Sequence, residues 1–114
     1  MNKRIAVLGL AGSVLFAGGL LAEEWKNASL VDSMCAEKDA VKADPDKHPS
    51  KCMVACAKSG YGIMAGGKFL KFDEAGNKQA TAALQASKKT DHIRATVVGE
   101  RKGDEIAVSK VTLD

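Results

Sequence analysis

Met1 to Arg4 carries two positive charges, Ile5 to Leu21 carries none, and Ala22 is followed at once by Glu23-Glu24. A basic start, an apolar middle and a small residue before a polar flank are the pattern of a secretory signal peptide. Gly9, Gly12, Gly18 and Gly19 weaken helix propensity across the apolar run, which also falls short of the about 20 apolar residues that a membrane-spanning helix needs. The expectation is a signal peptide over residues 1–22, cut after Ala22 or alternatively after Gly19. What remains for folding is residues 23–114, read as one exported bacterial domain, periplasmic or secreted, with no stable membrane insertion after processing.

Lys3 and Arg4 leave with that segment. The formal net charge of +3, from 17 basic and 14 acidic residues, therefore overstates how basic the folded part is. A nearly neutral domain implies no polyanionic partner, so nucleic acid is not expected. The 27% charged and 46% hydrophobic shares exclude a disordered tail and a polytopic membrane protein. A domain of this size buries a modest core and often recruits a disulfide or a metal for extra stability.

The rest of the chain reads as strands around two short helices. Trp25–Met34 alternates loosely and predicts a first strand. Residues 36–51 are polar, hold Pro45 and Pro49, and form a long excursion. Pro49 suits the first position of a helix that Gly60 ends. Tyr61–Ala65 and Lys68–Asp73 flank Gly66-Gly67, which predicts a tight hairpin because both glycines accept positive φ. Asn77 is expected to cap an Ala-rich second helix through about residue 89. His92–Glu100 alternates again, a turn at Arg101–Gly103 follows, and Asp104–Leu113 completes the set. Its apolar phase slips by one residue near Ser109-Lys110, which predicts a β-bulge.

The expected class is therefore mainly β with two short helices (α+β). Five strands with a helix between the third and fourth match a partly open, OB-like barrel, with an extra helix between strands 1 and 2. Phe69 and Phe72, three residues apart, point to opposite faces of their strand and cannot form one stacking platform for single-stranded nucleic acid.

The run Leu30-Val31-Asp32-Ser33-Met34-Cys35, then His48, Cys52, Cys56 and Gly60, then the glycine hairpin, Thr96-Val97-Val98-Gly99-Glu100 and Gly103-Asp104-Glu105-Ile106 resembles small exported bacterial domains of unknown function. The resemblance covers nearly all of residues 25–113. It implies an OB-like barrel and an exported compartment, and brings no established activity.

Chemistry is concentrated in Cys35, His48, Cys52 and Cys56. Cys52 and Cys56 are spaced to stack on one helix face, with Cβ atoms about 6 Å apart, and His48 stands four residues further back. Cys35 ends the first strand and approaches if the loop folds over. Three thiolates and an imidazole suit a soft or borderline ion, Cu(I) or Zn²⁺, rather than Mg²⁺ or Ca²⁺. The alternative is a disulfide-stabilised module without metal that binds a protein or small ligand. In an oxidising compartment Cys35 would pair with Cys52 or Cys56, contributing about 3 kcal/mol and leaving one spare thiol. Met34, Met53 and Met64 are candidate thioether ligands, although methionine is more often core filler. Asp32 could pair with a cation or cap the loop, but a lone strand carboxylate is usually structural. No C-x-x-C, C-x-x-C-H or G-x-S-x-G occurs, so the chain is read as a binding protein and not as an enzyme.

Overall fold

A computed structural model describes residues 22–114; the expected signal peptide falls on residues outside it, apart from Ala22. Five strands make up the framework: β1 (Glu23–Asp32), β2 (Tyr61–Ala65), β3 (Lys68–Phe72), β4 (Arg94–Lys102) and β5 (Glu105–Leu113). They form a closed mixed barrel in the order β1-β2-β3-β5-β4, with β4 returning to β1. All neighbours are antiparallel except β3 and β5, which run parallel through only two residue pairs, Lys71 with Glu105 and Phe72 with Ile106. The barrel is thus closed rather than partly open, with this short parallel seam as its narrowest join.

Gly66 and Gly67 both take positive φ and turn β2 into β3, as their dipeptide predicts. The slip in β5 is a true bulge: Val98 pairs with Lys110 and Gly99 with Val108, which leaves Ser109 as the extra residue. A second irregularity, between Trp25 and Ala28 of β1, has Asn27 at positive φ.

The barrel core holds Leu30, Ile63, Leu70, Phe72, Ala95, Val97 and Ile106, with Met53 and Tyr61 joining them. Helix α4 (Glu74–Ala86) lays Gly76, Ala80 and Leu84 on it, a stripe repeating every four residues. Small residues let the helix approach closely. A Cβ at Gly76 would lie 2.5 Å from Val108 Cγ2 and 2.8 Å from Phe72 Cβ. The helix starts earlier than Asn77 because Asp73 is its cap, accepting from the backbone N–H of Gly76 at 3.0 Å. Asn77 instead faces the start of β2, where its Oδ1 accepts from the Tyr61 N–H at 2.8 Å.

Between β1 and β2 the chain is more broken than the single helix expected there. It forms α1 (Ser33–Ala36), α2 (Asp39–Ala43) and α3 (Ser50–Ala55), with 3-10 turns at Pro45–Lys47 and Ala57–Ser59. β1 stops at Asp32, two residues before the predicted end, because Asp32 caps α1. This excursion lies over the outside of β1. There Val31, Cys35, Ala36 and Val41 make a small second core, with Met64 and Phe69 packed against it. Phe69 and Phe72 do point to opposite faces, one to each core. The end of β1 is consequently covered on both sides, and Ser29 through Asp32 are all buried. No helix among the described residues is long and apolar enough to cross a membrane.

Candidate metal centre

The covered end of β1 decides the site. Asp32 follows Leu30 on the same strand face and is fully buried. A buried carboxylate needs partners, and it has two. Its Oδ2 accepts the Cys35 backbone N–H at 3.0 Å, the N-cap bond of α1. Its Oδ1 lies 2.7 Å from His48 Nε2, and that ring is itself nearly out of solvent.

The excursion departs from β1 and returns to β2 at nearly the same place, which brings its two ends together. The Ser33 N–H donates to the Gly60 carbonyl at 2.9 Å. The Met34 N–H donates to Ser59 Oγ at 3.2 Å, and that hydroxyl donates to the Cys56 carbonyl at 2.8 Å. The start of α1 is thereby fastened to the turn that follows α3. As a result Asp32, Cys35 and Cys56 converge, with their ligand atoms all within 4.8 Å of one another. Metal–sulfur bonds of about 2.3 Å and metal–oxygen bonds of about 2.1 Å place donors at comparable separations around one ion. Cys56 Sγ is also 3.9 Å from Met34 Sδ.

All three cysteines are free thiols. Burial pushes the Cys35 thiol above its usual range, and the Asp32 carboxylate adds to the shift by charge and hydrogen bond. Cys56 acts in the same direction, and Lys38 opposes them. The pocket therefore favours a protonated Cys35 until a cation supplies compensating charge.

Of the four expected ligands, the structure brings Cys35 and Cys56 together. Cys52 is outside the converging group. Cys56, the C-cap of α3, keeps helical spacing to it, with its N–H donating to the Cys52 carbonyl at 3.0 Å, but it is Cys56 that adjoins the turn fastened to α1. His48 is not in the group either; its Nε2 faces Asp32, one step behind the sulfurs. Asp32, readable from sequence as a cation partner or loop cap but not among the expected ligands, does cap α1 and joins the converging group. The signal was its spacing, three residues before Cys35, where an N-cap carboxylate meets the backbone N–H it accepts.

The chain matches no protein-family model, no curated protein and no solved structure. The geometry of the site is therefore what speaks for function.

Proposed function

We propose that this chain is an exported, non-enzymatic binding module that holds a soft or borderline transition-metal ion, Cu(I) or Zn²⁺, through the thiolates of Cys35 and Cys56. One observation carries this reading: the two ends of a long excursion are fastened so that two sulfurs and the Asp32 carboxylate meet within 4.8 Å. Thiolates select such ions over Mg²⁺ or Ca²⁺. His48 would act behind them by orienting Asp32, as outer groups around metal ligands do. The strand order, with a helix between β3 and β4, supports an OB-like barrel. The leader-like residues 1–22 support export. In an oxidising compartment a bound ion would keep these two thiols from joining each other.

The test is thiol titration of the purified mature protein with and without a chelator, alongside calorimetry of the reduced form. Protection of Cys35 and Cys56 that the chelator relieves, with stoichiometric ion uptake, is the expected result. Absence of uptake overturns it.

The same proximity favours one second reading. Cys35 and Cys56 stand close enough for an oxidant to join them, which would staple the excursion and leave Cys52 as the single free thiol. In that case one thiol titrates whether or not chelator is present.

A further inference from the structure

Met34 stands beside Cys56, and packing does not account for it. Its side chain is 63% exposed, whereas Met53 is fully buried in the barrel core and Met64 packs against the second core. A large thioether left in solvent is unusual beside two residues that follow the ordinary rule. It is also not loosely placed at its root. The Met34 N–H is held by Ser59 Oγ, the neighbouring Ser33 N–H by the Gly60 carbonyl, and Ser59 in turn by the Cys56 carbonyl. From that anchored backbone, Met34 Sδ lies 3.9 Å from Cys56 Sγ. With metal–sulfur bonds of about 2.3 Å, two sulfurs around one trigonal ion stand about 4.0 Å apart.

The third ligand decides which ion the thiol pair takes. Asp32 offers oxygen, a donor that Zn²⁺ accepts. Both Asp32 oxygens are already engaged, by His48 Nε2 and by the Cys35 N–H, and the side chain is fully buried. Drawing it onto an ion would disturb the α1 cap and the buried pair together. Met34 has no such commitments. A thioether beside two thiolates is a soft donor set, which selects a soft monovalent ion.

We propose that Met34 is the third ligand of a three-sulfur site with Cys35 and Cys56, and that this site is built for Cu(I), which enters and leaves from the solvent face where Met34 stands. The inference rests on the metal-binding reading above and adds a ligand and an ion to it.

The test uses the reduced full chain under anaerobic conditions, wild type against Met34→Leu, which keeps the volume and removes the sulfur. Cu(I) affinity is measured by competition with a chromophoric Cu(I) chelator, and Zn²⁺ affinity is measured in parallel. Met34→Leu is expected to weaken Cu(I) by at least the roughly tenfold that even an outer-shell partner is worth, while leaving Zn²⁺ unchanged. X-ray absorption of selenomethionine-labelled, Cu(I)-loaded protein should show a copper–selenium contact that Met34→Leu abolishes. Equal Cu(I) affinity in the two proteins without that contact overturns the proposal, as does an equal loss of both ions. A wild type that takes up neither ion overturns the underlying metal reading as well, so the two failures are told apart.

Discussion

His48 Nε2 and Asp32 Oδ1 meet at 2.7 Å where β1 passes under the excursion, and neither side chain has meaningful access to water. The contact joins residues 16 apart in sequence. It fixes the carboxylate whose other oxygen caps the helix bearing Cys35. Removing one member leaves the other buried without its partner. His48→Ala should therefore cost about 3 kcal/mol of unfolding free energy, the range for breaking a buried pair. Asp32→Asn should cost less than Asp32→Ala, because an amide oxygen can still accept the Cys35 N–H. Urea denaturation of the four proteins checks the order, and an Asp32→Asn loss equal to that of Asp32→Ala would contradict it.

At the sulfurs, the expected pattern is non-additive. Cys35→Ser and Cys56→Ser should each remove most metal affinity, and the double variant should lose little more, since one shared site is lost only once. Cys52→Ser should bind as the wild type does. Calorimetric titration of the reduced proteins distinguishes this from a Cys52–Cys56 site, for which Cys52→Ser would be the damaging change.

Metal affinity should also rise with pH. Burial and Asp32 hold the Cys35 thiol above its usual range, so an incoming ion must expel that proton. Each thiol proton released makes affinity about tenfold stronger per pH unit, and two thiolate ligands release two. Competition titrations at about pH 6 and about pH 8 measure it: a slope of a single proton would mean that only one of Cys35 and Cys56 is a ligand, and a flat profile that neither is.

A second tether acts away from the sulfurs. Asp46, in the 3-10 turn before His48, accepts from Arg94 Nη2 at 2.6 Å, Arg94 Nε at 3.2 Å and Ser29 Oγ at 2.8 Å. The Arg94 hydrogen bond is the largest cause holding the Asp46 carboxyl below the ordinary range. A carboxylate lowered by folding contributes stability that is present above its unfolded pKa and lost as pH falls through its folded value. Wild type should therefore be more stable than Asp46→Asn above about pH 4, and the two should converge at lower pH. Thermal melts across that range give the answer, and a constant difference would remove the ionic part of the tether.

Much of the barrel was legible because it rests on local chemistry. Gly66-Gly67 turns the hairpin by φ alone, and the phase slip around Ser109 announces its bulge. The excursion was not legible in the same way. Its polar residues and two prolines predict a break in the sheet but not how the chain folds back. The closure depends on hydrogen bonds from Ser33 to Gly60 and from Met34 to Ser59, across more than twenty residues of sequence. Cys52 and Cys56 do keep helical spacing, but only Cys56 adjoins the fastened ends of the excursion, where Cys35 lies. Asp32 could be read as a cation partner or a cap, but the structural reading prevails in sequence because burial of both faces of β1 cannot be read from a strand alone.

Close packing at α4 offers a contest of known magnitudes. Alanine is favoured over glycine inside a helix by about 1 kcal/mol. At position 76, however, a Cβ would press on Phe72 Cβ and on Val108, and overpacking costs about 1–3 kcal/mol. Gly76→Ala should be destabilising on balance. A melting temperature at or above that of the wild type would show that helix and sheet separate easily.

The strand order also has a consequence in time. β1 comes first in the described chain, yet its two neighbours are β2, beginning at Tyr61, and β4, beginning at Arg94. A chain emerging from one end holds this strand, with its buried Leu30 and Val31, incomplete until nearly everything else has followed. Contacts of such long sequence separation form slowly, because a large loop must close before any of them is rewarded. Closing β1 onto β4 is therefore a late event, whereas the sulfurs, brought together by bonds from Ser33 and Met34 to Gly60 and Ser59, wait only on a much shorter closure.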